Sequence, residues 1–223
     1  EGQWARFDLD GTTQTLANVS LSGGLTGGII QNSEWSYENN ATYPIGALVL
    51  TNVTGNTWNT FFRDGTVGQL AFTLNSPGGT FTLSGARITH TGATTLDAGT
   101  LTLAGTTAFN SPIVLNGGSL KTIATANYVM LPKTISGDSS GGKLEITGTA
   151  YQTYMTADNT YTGGTLVSGN LCLGNNTAAG SVLGAITDNG QLSLYHSGAY
   201  IFTNTVTGSG SLVVYNNNIV ASP

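Results

Sequence analysis

A chain of 223 residues is long enough to bury one sizeable core. Only 8% of its residues are charged, the formal net charge is −5, and its six basic residues (Arg6, Arg63, Arg87, Lys121, Lys133, Lys143) lie far apart in sequence. No patch able to neutralise several phosphates is therefore expected, and nucleic acid is not an expected partner.

No apolar run approaches the ~20 residues of a membrane-spanning helix, so the chain is not integral to a membrane through one. The single cysteine, Cys172, rules out an internal disulfide framework. With 32 Gly, 36 Thr and only five Pro, and with Val, Ile, Leu, Phe and Thr in short alternating runs, the composition is all-β. Gly, Asn and Asp mark the turns between strands.

The first element is FDLDGT, Phe7 to Thr12, which matches the opening motif of the haloacid-dehalogenase phosphatases. In those enzymes the motif ends a buried parallel strand. Here EGQWAR precedes it in place of apolar residues, no βα alternation follows, and no second acidic pair appears. Leu9 between Asp8 and Asp10, with Gly11 behind, reads instead as a strand end running into a turn. A calcium loop fares no better, because the twelfth position counted from Asp8, where a bidentate Glu belongs, is Val19. The G-G-x-G-x-D calcium roll is absent too, which leaves only a calcium ion held by backbone carbonyls between coils as a metal reading.

All three tryptophans, Trp4, Trp35 and Trp58, fall in the first 58 residues, with Phe7, Tyr37, Tyr43, Phe61 and Phe62. Two roles fit such a concentration. It can cap the open end of a stack of strands or form a subunit interface, or it can present Trp4, Trp35, Tyr37 and Trp58 as a glycan platform. Residues 1–65 are accordingly expected to form an irregular amino-terminal β section, with repeats over 66–223, in one continuous domain.

The repeat is Gly-x-apolar-x-apolar. It reads GTFTL at 79–83, GTLTL at 99–103, a degenerate GSLKT at 118–122 and GKLEI at 142–146. GNLCL at 169–173, GQLSL at 190–194 and GSLVV at 210–214 continue it. Successive glycines are 20, 19, 24, 27, 21 and 20 residues apart. Earlier copies, GALVL at 46–50 and GQLAF at 68–72, include an 11-residue step that breaks the period.

A period near 20 with a strand at fixed phase is what a β-solenoid needs, since each turn carries two or three short strands and stacks on the next at ~4.8 Å. Nine to ten coils of this kind would extend ~45 Å. The 24- and 27-residue intervals predict loops bulging from the stack at about 123–141 and 147–164.

NTYTGGTLVSGNLCLGNNTA, Asn159 to Ala178, closely resembles the passenger repeat of autotransporters, and ATTLDAGTLTLAGTT, Ala93 to Thr107, is similar to its latter half. FDLDGTTQTLANVSLSGGLTGGIIQNS resembles the segment before such repeats in large surface proteins with autotransporter-associated β-strand repeats. The resemblance implies a right-handed parallel β-helix that is exported and displayed at the cell surface. The final YNNNIVASP carries no string of ~10-residue amphipathic strands like the family's membrane barrel.

Enzymes also use this fold, but a hydrolase needs two carboxylates within ~5–9.5 Å. Asp97 and Glu145 fall on different parts of the repeat, and Asp138, Asp158 and Asp188 stand alone in predicted turns. His90 and His196, 106 residues apart, have no cysteine or carboxylate at metal-ligand spacing and read as solvated side chains on strand edges. Cys172 is expected on the face opposite Leu171 and Leu173, as an inert thiol. The Asn-x-Ser/Thr triplets at Asn18, Asn40, Asn52 and Asn175 are expected by chance at this composition.

No catalytic, cofactor or metal site is expected. The function expected is that of an extracellular or cell-surface structural protein whose copies associate, as fibre subunits or a surface layer. The alternatives are an adhesin or glycan-binding stalk and, behind that, a polysaccharide-degrading β-helix.

Overall fold

The computed structural model describes residues 5–20, 27–33, 44–105, 108–124, 126–137 and 141–215, and the backbone of 219–221. Among these residues every strand pairing is parallel and no helix occurs. The strands stack as a β-solenoid of about nine turns with coils of about 21 residues, as the glycine period predicted.

Each turn contributes to three ladders. The first runs from Thr13–Leu16 through Gly46–Leu50 and residues 70–74 and 94–96 to Ile113–Leu115 and Ile135–Gly137. The second holds Asn56–Trp58, residues 80–84 and 100–104, Ser119–Ile123, Leu144–Ile146, Thr165–Val167, Ile186–Asp188 and Val206–Thr207.

The third begins with Ala5–Asp8, Gly28–Gln31 and Phe61–Phe62 and resumes with Val129–Leu131, Gln152–Met155, Asn170–Thr177, Gln191–His196 and Ser211–Tyr215. Between these runs it is carried by a bridge from Phe62 to Ile88 and by the Phe109 N–H donating to the Met130 carbonyl at 2.9 Å.

This arrangement corrects the expected loops. Residues 123–141 and 147–164 do not bulge from the stack, because they contain Val129–Leu131, Ile135–Gly137 and Gln152–Met155, all paired. The long 27-residue interval is instead a change of ladder. GKLEI lies in the second ladder against Thr165–Val167, whereas GNLCL lies in the third against Gln152–Met155 and Gln191–His196. The short 11-residue step has the converse origin. GQLAF and GTFTL are two legs of one continuous strand, Leu70–Ser84, which turns a corner between the first and second ladders. Gly78, at φ +71°, sits at that corner, a conformation costly for residues with a Cβ.

Strand alternation places one side chain in two inside the coil, and the enclosed residues form one continuous core from Leu9 to Phe202. At its amino-terminal end the core is aromatic, with Phe62 edge-on to Phe72 at 5.5 Å and Phe72 tilted against Phe81 at 5.7 Å. Beyond it the filling is mostly Leu, Ile and Val, in register from coil to coil.

Asparagines tie the corners. Asn32 accepts from the Gly11 N–H at 2.7 Å and donates to the Pro44 and Gln69 carbonyls at 3.0 and 2.9 Å. Asn159 accepts from the Ile135 N–H at 2.8 Å and donates to the Ala157 and Ser181 carbonyls at 2.7 and 2.8 Å. Asn204 donates to the Val182 and Gly184 carbonyls, both at 2.9 Å. One amide side chain thus satisfies backbone groups of neighbouring coils where the strands break.

Candidate functional site

A solenoid has no internal cavity to spare, so whatever it recognises it must meet on its outer faces. The residues that point outward from the third ladder are the most distinctive.

At the amino-terminal end, ladder register sets Arg6 opposite Ile29 and Ile29 opposite Phe61. The Arg87 guanidinium lies over the Phe61 ring at 4.8 Å, and that of Arg63, two residues on in sequence, at 5.2 Å. Arg6, Ile29, Phe61 and Arg63 line a cleft of about 460 Å³. Arg63 is oriented from below, since its Nε and Nη2 donate to Gln31 Oε1 at 3.2 and 3.0 Å, and Gln31 Nε2 donates to Asp8 Oδ2 at 2.9 Å. The expected scatter of the cations is therefore corrected. Three of the six basic residues meet on one face, because coil pitch brings together residues 24, 57 and 81 positions apart.

Further along the same ladder the outward residues are tyrosines. Tyr128 and Tyr154 meet edge-to-face at 5.9 Å, and Tyr195 and Tyr215 are tilted against each other at 5.4 Å. Between them run Gly174, Cys172 and Ser193, in register with Tyr195, Tyr154 and Cys172 respectively. Burial raises the Tyr154 phenol above its ordinary pKa, with smaller contributions from Cys172 and the other three tyrosines. Neither aromatic row is visible as a cluster in the sequence. Aligning the chain by coil and ladder, rather than by glycine spacing, would have shown both.

Of the sequence-predicted platform, only Trp58 lies among the described residues. Its ring is 5% exposed, packed in the core, with the indole N–H donating to the Phe61 carbonyl at 3.1 Å. Trp4, Trp35 and Tyr37 lie outside the described residues, as does Asp138.

The histidines are a correction. Both are buried, at 1% exposure, not solvated. His90 lies edge-on between Phe62 and Phe109 at 4.9 and 5.1 Å, and its Nε2 meets Thr94 Oγ1 at 2.9 Å. The polar chain continues from Thr94 to Ser111 Oγ at 2.8 Å and on to the Gly92 carbonyl at 2.6 Å. Burial lowers the His90 pKa to about 4 against a weaker opposing pull from Asp64. His196 stacks flat on Tyr200 at 3.7 Å.

Cys172 is buried between its strand neighbours, with its thiol pKa raised to about 12 by burial, which disfavours the reactive thiolate.

The carboxylates serve the backbone. Asp8 accepts from the Asp10 and Ser33 N–H groups, Asp64 from those of Leu70 and Thr91, and Asp158 from that of Gly180 and the Ser181 hydroxyl. Asp188 accepts from the Gly190 N–H, Asp97 from Asn116, and Glu145 pairs with Lys121 at 3.3 Å across adjacent coils. Among the described residues no three His, Cys, Asp or Glu side chains come together as metal ligands.

No protein-family model matches the chain, and no solved structure matches it. Among characterised proteins it is similar to the adhesin BmaC autotransporter of Brucella suis biovar 1 (strain 1330), with 30% identity over 153 residues. The matched stretch is 60% of this chain and 4% of the adhesin, so the chain spans a small part of its relative's length.

Proposed function

We propose that this chain is an adhesive segment of a cell-surface passenger, a rigid solenoid that presents side chains to a partner surface and carries out no catalysis. Its distant relative is named an autotransporter adhesin, and the repeat that carries the family resemblance builds a parallel β-solenoid in both senses of sequence and structure. The observation that carries the reading is the outward row on the third ladder. Stacking converts tyrosines 26 and 20 residues apart into two ring pairs, Tyr128 with Tyr154 and Tyr195 with Tyr215, on one face of the ladder, and rigid aromatics lose little entropy on contact.

The experiment is attachment of beads coated with the purified chain to host-cell monolayers. Coated beads should exceed albumin-coated ones several-fold, and the double variant Tyr154→Ala, Tyr195→Ala should lose most of that excess. Equal attachment of chain-coated and albumin-coated beads overturns the reading.

Self-association is a second reading, favoured by the low charge of the chain, 8% of its residues, which leaves stacked strands little to repel one another. Sedimentation of the chain across concentration tests it.

A further inference from the structure

We propose that Asn116–Gly117 is a modification site, at which the folded chain deamidates spontaneously and exchanges an amide for a carboxylate on the outer corner between the first and second ladders. The proposal is independent of the adhesive reading, because no partner and no enzyme takes part.

The reaction needs an asparagine followed by a residue whose amide nitrogen is unshielded, and glycine, without a Cβ, shields it least. Two Asn-Gly pairs occur in the chain, Asn116–Gly117 and Asn189–Gly190. Both form corners, the first between Ile113–Leu115 and Ser119–Ile123, the second between Ile186–Asp188 and Gln191–His196. By sequence the two are alike, and the structure separates them.

At the first corner the Asn116 and Gly118 N–H groups both donate to the Leu96 carbonyl, each at 2.9 Å. The chain therefore arches over that carbonyl with Gly117 at the apex, at φ +139°, and both Asn116 and Gly117 are exposed. Asn116 Nδ2 donates to Asp97 Oδ1 at 3.1 Å across adjacent coils. An exposed bond of that kind holds a side chain weakly, so the Asn116 amide can turn towards the Gly117 nitrogen.

At the second corner both reacting groups are held. The Gly190 N–H donates to Asp188 Oδ1 at 3.0 Å, and Asp188 is 4% exposed. A carboxylate acceptor keeps the proton on that nitrogen, which must lose it before it can attack. Asn189 Oδ1 accepts from the Ser209 N–H at 3.3 Å, and the Gly190 carbonyl from the Ser211 N–H at 2.9 Å, so the next coil pins the pair as well.

At Asn116 the steps balance with water as the sole co-reactant. Solvent takes the Gly117 amide proton, the nitrogen bonds to Asn116 Cγ, and the Cγ–Nδ2 bond breaks as Nδ2 takes a proton and leaves as ammonia. Water then opens the cyclic imide at either carbonyl. One opening gives aspartate, and the other gives isoaspartate, which adds a methylene to the main chain between the two ladders. In the aspartate product an oxygen stands where the nitrogen met Asp97, so a donor and an acceptor become two carboxylates and the tie between coils is lost.

The test is incubation of the whole native chain in mildly alkaline buffer, with digestion in acid to halt the reaction and mass spectrometry to quantify each product. Asn116 should convert at least about fivefold faster than Asn189, the factor that one hydrogen bond held or released is worth. Both aspartate and isoaspartate peptides should appear. In guanidinium, where neither corner exists, the two rates should converge. Asn116→Gln, an exposed change, should abolish conversion at that position and leave the rate at Asn189 as it was.

Native rates that are equal, or faster at Asn189, overturn the proposal, as does an Asn116 that stays intact in the fold while the unfolded chain deamidates there. A rate ratio that persists unchanged in guanidinium overturns it too, since flanking sequence rather than the corner would then set the rates.

Discussion

Asn159 shows what the most recognisable stretch of the sequence is for. In NTYTGGTL the asparagine ties three backbone groups together, and the Tyr161 ring is buried with its hydroxyl 2.6 Å from Thr165 Oγ1. Gly163 passes so close to Gly142 of the coil before that a Cβ would collide with the Gly142 carbonyl. Asn159→Ala should therefore cost roughly 2–4 kcal/mol by urea unfolding, since it strands buried backbone groups. Asn170→Ala removes only an exposed bond to the Thr149 carbonyl, at 2.8 Å, and should cost less than about 1 kcal/mol. Equal losses would show that Asn159 acts merely as a surface amide.

His90 yields a pH prediction at the same scale. It is neutral in the fold with a pKa of about 4, and the unfolded chain takes up the proton near 6.5. Between these values the unfolded state binds more protons, so stability falls as pH drops from about 6.5 towards 4. The loss by pH 4.5 should be about 2–3 kcal/mol. His90→Gln should unfold with that much less pH dependence between 7 and 4.5, whatever its absolute stability, and an unchanged slope would count against the buried neutral imidazole.

At the scale of the element, the strand Asn170–Thr177 buries both of its faces. Leu171 and Leu173 fill the core, and Cys172, on the opposite side, is covered on the outside at 1% exposure, next to Tyr154 in register. With its thiol pKa raised to about 12, Cys172 should resist a disulfide reagent at pH 8 in the native protein and react fully in guanidinium. Tyr154→Ala should raise the native rate at least tenfold by uncovering it. A wild-type thiol that reacts at the rate of a free cysteine would contradict this packing.

The same element explains a misplaced expectation. Its Gly-x-apolar pattern looks identical to that of Leu144–Ile146, yet the two belong to different ladders, because any strand entered from a tight corner favours glycine first. The motif marks corners, and each turn has three.

For the whole molecule, the decisive property is that stacking is one-dimensional. Each coil contacts its neighbours, and a core position such as Leu192 is covered by the coils on either side. If copies associate through their weakly charged outer faces, sedimentation should show concentration-dependent growth for the native chain. A native chain that remains monomeric at several hundred micromolar would exclude self-association.

What the sequence determined by itself was everything periodic. The all-β composition, the coil of about 20 residues and the inward leucines could be read from composition and spacing, and the resemblance to the autotransporter repeat from the letters of a single turn, because each depends on the pattern within one turn. Only the tertiary structure decided what depends on the alignment of one turn with the next. It assigned identical motifs to different ladders, buried His90 and His196, and turned Arg6, Arg63 and Arg87 into a cluster around Phe61. It also brought Tyr128 against Tyr154 and Tyr195 against Tyr215. The reason is that coil lengths vary by several residues about their mean. Each variation shifts the register of all later residues, so neighbours across coils cannot be counted off from a fixed period.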